Sequence, residues 1–141
     1  MLRGEFESVD GRSVEDLHRA YHERIRAVVE AAGVDAVVER LAVDRETVAA
    51  VADGEQPELT LEAAAAILAV DEDLPDADAI VAEARDILLM GMTTAVVDVD
   101  AVSAGVDGAM EPKEIQQKVE GRYPITLGEY AQIHRFIESK Q

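Results

Sequence analysis

The 141-residue sequence contains no cysteine and no tryptophan. Without cysteine the chain can form neither disulfide bonds nor thiolate metal sites. It also lacks the roughly 20 consecutive apolar residues that are needed to span a bilayer, since its longest apolar run extends only from Ile87 to Val97. No apolar stretch follows a basic start, so we expect no signal peptide. These absences predict a cytoplasmic protein with no membrane segment.

Basic residues are scarce, because 13 Lys and Arg oppose 30 Asp and Glu and give a formal net charge of −17. Residues 33–112 hold nineteen acids and three arginines, whereas residues 113–141 hold five bases and four acids. All three lysines lie in this last segment, which is where a surface for a negatively charged partner is expected. The composition resembles that of haloarchaeal proteins, for which molar salt shortens the Debye length to about 3 Å. A basic partner and a divalent-ion sponge are the alternative explanations.

Sequence motifs for catalysis are missing as well. There is no Gly-rich phosphate loop, nucleophile elbow or EF-hand order of ligands. His18 and His22 have a spacing that can hold a metal, but Arg19 and Arg26 crowd the same helix face. We interpret these two and His134 as surface histidines. The sequence therefore predicts a protein that is not an enzyme and that binds neither a metal nor a cofactor.

Helical periodicity dominates the chain, and nothing indicates a β-hairpin. Leu17, Tyr21, Ile25 and Val28 recur at helical spacing. Ser, Thr or Asp precedes most of the apolar stretches as a helix cap, and glycines follow several of them. The sequence predicts an all-α fold with helices over residues 13–32, 34–41, 45–52, 61–70 and 76–97, followed by a further set beyond residue 98.

This further set repeats the first. Residues 34–37 recur as 99–102, and Gly54, Pro57 and Thr60 correspond to Gly121, Pro124 and Thr126 at offsets of 65–67 residues. We therefore expect a flexible arm over residues 1–12, a first unit over 13–75 and a second over 76–141. The apolar run 87–97 predicts a central helix through which the two units pack, and a homodimer seam is the alternative.

Each unit resembles the lambda-repressor-like (Xre-type) helix-turn-helix domain. In the first unit the four helices of that domain are matched in order by residues 21–33, 34–41, 44–52 and 59–69, the third being the recognition helix. In the second unit, matching segments are residues 99–106, 112–122 and 125–137. The whole chain also resembles an uncharacterised family of short haloarchaeal proteins. The first resemblance implies tandem helix-turn-helix units, and the second implies a compartment but no activity.

DNA binding is the function that the resemblance implies. The recognition segment of the first unit is acidic, so we expect a double-stranded DNA contact only through the second unit. Glutamine can bond adenine, lysine and arginine can reach guanine or phosphate, and the helix start at Pro112 leaves its N-terminus able to meet a phosphate. The residues expected to contact DNA are Lys113, Gln116, Gln117 and Arg122, supported by Lys118, Tyr123, Arg135 and Lys140. The alternatives are a protein-interaction module without DNA contact and a ribonucleoprotein-associated factor.

Overall fold

The protein, seen here as a computed structural model, is described over residues 13–41 and 43–141. The expected arm, residues 1–12, lies outside them. The described residues form helices and no named strand, which confirms the all-α prediction. The helices are α1 (Val14–Ala32), α2 (Val34–Arg40), α3 (Arg45–Ala52), α4 (Leu61–Leu68), α5 (Ala77–Ala95), α6 (Val99–Gly105), α7 (Pro112–Val119) and α8 (Leu127–Ser139).

Side-chain caps determine where most of these helices begin. Each cap oxygen accepts a hydrogen bond from a backbone N–H that has no partner within its own helix. Ser13 and Thr126 form capping boxes, because the carboxylate three residues on also accepts a hydrogen bond from the cap's own N–H. The side-chain caps are Ser13, Asp44, Thr60, Asp76, Asp98 and Thr126.

The helix order repeats, so α1–α4 and α5–α8 form two similar halves. The first helices of both halves have 19 residues, the second 7 and the third 8. Gly54 and Gly121 follow α3 and α7 with left-handed φ angles of 86° and 82°. Only glycine adopts this conformation at little cost, which explains why both copies have it there.

Two reciprocal hydrogen bonds join the halves directly. The Leu61 N–H donates to the Ile125 carbonyl at 2.8 Å, and the Leu127 N–H donates to the Leu59 carbonyl at 2.9 Å. The two bonds flank the pairing of Thr60 with Thr126, which are the caps of α4 and α8. Each donor has its counterpart 66 residues away, so the halves are related by an approximate two-fold axis at this point.

A single apolar core runs through both halves. Helix α1 packs against α8, and α4 packs against α5. At the centre the Tyr21 and Tyr130 rings meet edge to face with 5.9 Å between centroids, and the Tyr130 hydroxyl donates to the Ala84 carbonyl. Helix α5 therefore helps to join the halves as predicted, but α1 contributes to the junction as well.

Helix α5 is not buried on all sides, contrary to what its apolar run suggested. Leu88 is buried, and Gly91 lies so close to α8 that a Cβ atom there would approach the Ile137 side chain to 2.8 Å. By contrast, Leu89, Met90 and Val96 are exposed by 41%, 56% and 88%. One side of the helix end thus packs in the core, and the other side meets solvent.

Candidate functional site

Five of the eight residues expected to contact DNA lie together, and we name them the α7 surface: Lys113, Gln116, Gln117, Arg122 and Tyr123. Lys113 and Gln116 are exposed and Gln117 is half-buried, and their spacing places them on one helix face. The backbone N–H groups of Arg122 and Tyr123 both donate to the Gln117 carbonyl, at 2.8 and 3.2 Å. This turn holds the two residues that follow α7 next to the helix.

Carboxylates accompany the α7 surface at both ends. At the start of α7 the Glu111 N–H donates to a Glu114 carboxylate oxygen at 3.4 Å, so an acidic side chain already lies where the sequence suggested that a phosphate could bind. At the other end, the Arg122 guanidinium lies 2.9 Å from a Glu120 carboxylate oxygen. The cationic side chains of this surface therefore stand among acids that would repel a nucleic acid backbone.

Lys118 does not belong to an exposed surface, and the prediction that it supports DNA binding is wrong. Its side chain is only 6% exposed, and its ammonium group donates to Glu114 at 2.8 Å and to Glu129. Burial alone lowers the pKa of Lys118, but the hydrogen bonds to the two carboxylates outweigh this effect and raise the pKa above its usual value. Lys118 is therefore charged, and its ammonium group is bound by carboxylates of the protein itself.

Lys118 and its partner Glu129 replace uncharged residues of the first half. At the equivalent positions α3 and α4 carry Val51 and Ala63, where the second half has Lys118 and Glu129. The lysine occupies a core position that is apolar in the first half, and the glutamate supplies the charge that this position then requires. Comparison of the two repeats indicates this pairing, which sequence analysis of the second unit alone missed.

Arg135 and Lys140 lie apart from the α7 surface. Helix α7 meets α8 at the first turn of α8, where Lys118 contacts Glu129. Lys140 follows the other end of α8, about 16 Å further along the helix axis, with its ammonium group 5.5 Å from the centroid of the Phe136 ring. Lys140 is therefore well separated from Lys113, and Arg135 lies beside Val106 and Asp107 at the end of α6.

Two of the three histidines are buried, so their interpretation as surface residues is wrong. His22 and His134 are 3% and 1% exposed. The Nδ1 atom of His134 lies 3.2 Å from the Tyr21 hydroxyl and shares a hydrogen bond with it. Burial lowers the pKa of both imidazoles to about 4. Within the described residues no three His, Asp or Glu side chains are grouped as metal ligands.

A second surface lies where α5 meets α6. The two helices are bent by 98° relative to each other and enclose an open groove of about 670 Å³. We name it the elbow groove. No single described helix is long and apolar enough to span a membrane, although α5 and α6 taken as a pair satisfy that criterion. The groove is lined by Leu89, Met92, Thr93, Val96, Val97, Asp98 and Ala101.

The elbow groove differs chemically from the matching place in the first half. At the positions equivalent to Leu89 and Thr93, α1 carries Arg26 and Glu30, which form a salt bridge. Five of the seven groove residues fall within positions 87–97, the longest stretch of the sequence without Asp, Glu, Lys or Arg. Of the four exposed large hydrophobic side chains among the described residues, three belong to this stretch and the fourth is Tyr123. The second half therefore presents an apolar surface where the first presents a charged one.

Comparison with known proteins places the chain in a family. A family profile matches residues 17–140, which include the eight helices of the described residues except the first three residues of α1. Neither the curated proteins nor the solved structures gave a match. Since the match covers most of the sequence, the protein belongs to DUF5791, a family of unknown function.

Proposed function

We propose that the protein is a non-enzymatic protein-interaction module that binds its partner through the elbow groove. The observation that carries this proposal is the exposure of Leu89, Met90 and Val96 in a chain that is charged at 30% of its positions. Contiguous apolar surface is uncommon on soluble monomers and marks interaction sites.

The acidic surroundings of the α7 surface also favour this function over DNA binding. The Lys118 ammonium group forms an ion pair with Glu114, and the Arg122 guanidinium forms one with Glu120. Glu111 and Glu114 both lie at the start of α7. Phosphate neutralisation by free Lys and Arg supplies most of the affinity of DNA-binding proteins. The apolar surface needs no such cations, because burial of side chains such as Leu89 would supply its affinity.

Substitutions in the groove should weaken binding of an amphipathic helix. The probe is a neutral helical peptide with leucine on one face and glutamine on the other, titrated by fluorescence anisotropy. Replacing Leu89 and Met90 together with glutamine removes apolar area from the contact and should reduce affinity by about tenfold, or about 1.4 kcal/mol.

Ala82→Gln is the matched control, because Ala82 is exposed on α5 about 10 Å before Leu89 along the axis. It should leave the affinity unchanged, and urea unfolding should show that both variants are folded. Sedimentation equilibrium on the same proteins tests whether the groove instead binds a second copy of the chain. Equal peptide affinity of the wild type and the Leu89/Met90 variant would contradict the proposal.

DNA binding through the α7 surface is the second candidate function. The observation in its favour is the shared exposed face of Lys113 and Gln116, with Arg122 and Tyr123 beside it. If this function is correct, Lys113→Glu combined with Arg122→Glu should lower the affinity for mixed duplex DNA by at least about tenfold. The measurement is anisotropy from low salt to molar potassium chloride.

The control for the DNA measurement is Lys140→Glu combined with Arg135→Glu. It makes the same change in net charge at the far end of α8 and should leave the affinity nearly unchanged. Equal losses in the two double variants would indicate a general charge effect and not a DNA site. Absence of binding at every salt concentration would rule out the α7 surface as a DNA-binding site.

A further inference from the structure

We infer that the occupant of the elbow groove is a helix of another protein, apolar on one face and flanked by lysine or arginine. This inference rests on the proposed function and names the chemistry of the partner. Two observations carry it: the charges around the groove, and the backbone conformation of Val96.

The segment that forms the groove contains acids but no bases. Between Arg85 and Lys113 there is no lysine or arginine, whereas the segment includes five acids, namely Asp86, Asp98, Asp100, Asp107 and Glu111. Asp98 lines the groove itself, and Asp100 is exposed in the first turn of α6. A second copy of the chain would bring like charges to this rim. A helix with basic flanks would bring complementary charges, which speed association and select the partner.

Val96 has a conformation that is unfavourable for its side chain. It ends α5 with φ 55° and ψ 50°, in the left-handed region, within a turn where the Val97 N–H donates to the Met92 carbonyl. Glycine is the usual residue at this place in such a turn, and a β-branched residue there is an outlier. At the equivalent end of α1 the chain has Gly33, with φ 91°.

The exposure of Val96 shows that its side chain gains nothing from the protein's own core. Valine is strained at this position and 88% exposed, so glycine would make the isolated chain more stable. Strained residues that persist in this way are characteristic of functional sites. Val96 is therefore the anchor through which the partner's apolar face contacts the groove.

The test compares three peptides with the same leucine face and with flanks of lysine, glutamine or glutamate. At low salt the lysine-flanked peptide should bind about tenfold more tightly than the glutamine-flanked one, and the glutamate-flanked peptide should bind most weakly. The advantage of lysine should shrink in molar potassium chloride, where charges are screened beyond about 3 Å.

Two variants locate the contact. Val96→Gly should raise the folding equilibrium constant about threefold, because glycine relieves the strain of a left-handed valine. The same variant should lower the affinity for all three peptides about fivefold, because it removes an apolar side chain from the contact. Because this variant is stabilised, its loss of binding cannot come from unfolding. Asp100→Asn should lower the affinity for the lysine-flanked peptide alone, by about twofold. Its control is Asp78→Asn, since Asp78 and Asp100 are exposed second residues of α5 and α6.

The outcomes separate this inference from the proposed function. Equal affinity of the lysine- and glutamine-flanked peptides, with both weakened by Val96→Gly, would overturn the basic partner and leave the interaction module intact. Failure of every peptide to bind would overturn both. Lysine-dependent binding that Val96→Gly does not change would place the contact elsewhere on the acidic surface. Self-association through the groove would make a second copy the occupant and overturn the inference.

Discussion

Replacing Lys118 with methionine is expected to lower the free energy of unfolding by about 3 kcal/mol. Methionine keeps much of the lysine's length, but it leaves Glu114 and Glu129 without the cation they share. Their mutual repulsion and the loss of charged hydrogen bonds at a nearly buried position account for the size of the effect. Urea unfolding measures it without changing the ionic strength.

Lys113→Met is the matched control for this substitution. Lys113 is exposed on the same helix, so the change should alter stability by less than about 0.5 kcal/mol. Combining Lys118→Met with Glu129→Gln should recover most of the lost stability, because glutamine removes the uncompensated carboxylate and can still cap Thr126. Equal effects of Lys118→Met and Lys113→Met would contradict the buried ion pair.

Stability should fall as the pH is lowered from about 6.5 towards 4. His22 and His134 have folded-state pKa values of about 4, whereas histidines of the unfolded chain have their ordinary pKa of 6.5. In this interval the unfolded state binds more protons than the folded state, so their contribution is complete above pH 6.5 and is lost as the pH falls to 4. Each histidine should contribute about 2 kcal/mol between pH 7 and pH 5.

Titration of single variants isolates this effect from the many carboxylates. His134→Gln and His22→Gln should each reduce the difference in unfolding free energy between pH 7 and pH 5. His18→Gln should reduce it less, because His18 is only half-buried. Glu138 lies 3.6 Å from the His134 Nε2 atom and favours the charged form, but burial has the larger influence. A difference in unfolding free energy between pH 7 and pH 5 that is as large in both variants as in the wild type would refute this assignment.

The helices and the repeat followed from local sequence signals. Ser13, Asp44 and Thr60 each precede an apolar stretch and cap a helix in the structure. Caps and glycine stops act within a few residues, so they can be read from the chain without tertiary information. The correspondence of Thr60 with Thr126 also followed from the sequence, whereas the pairing of their two loops across the approximate two-fold axis is seen only in the structure.

Residues whose environment depends on contacts with other helices were harder to predict. His134 is buried because α8 packs on α1, where Tyr21 provides a hydrogen bond from 113 positions away. The Lys118 ammonium group donates a hydrogen bond to Glu129, which lies on the next helix. Charge and polarity suggested exposure for both, but partners that are distant in sequence allow polar groups to be buried.

The exposure of the elbow groove required a comparison of the halves. An apolar helix end is ordinarily buried, and only the fold shows that Leu89 and Val96 point away from the core. The sequence does contain a signal, since valine stands where the first half has a glycine with positive φ. Reading the repeats against each other at helix ends would have identified this position.

The interaction surface can be tested most directly by NMR of methionine methyl groups in the full-length protein. Met90 is exposed on α5 and Met92 lines the elbow groove, whereas Met110 is 2% exposed and serves as an internal reference. On addition of the lysine-flanked helical peptide, the account predicts shifts at Met90 and Met92 while Met110 stays unchanged. Saturable peptide binding with no shift at Met92, which lines the groove, or at Met90, which lies beside it, would contradict binding through the elbow groove.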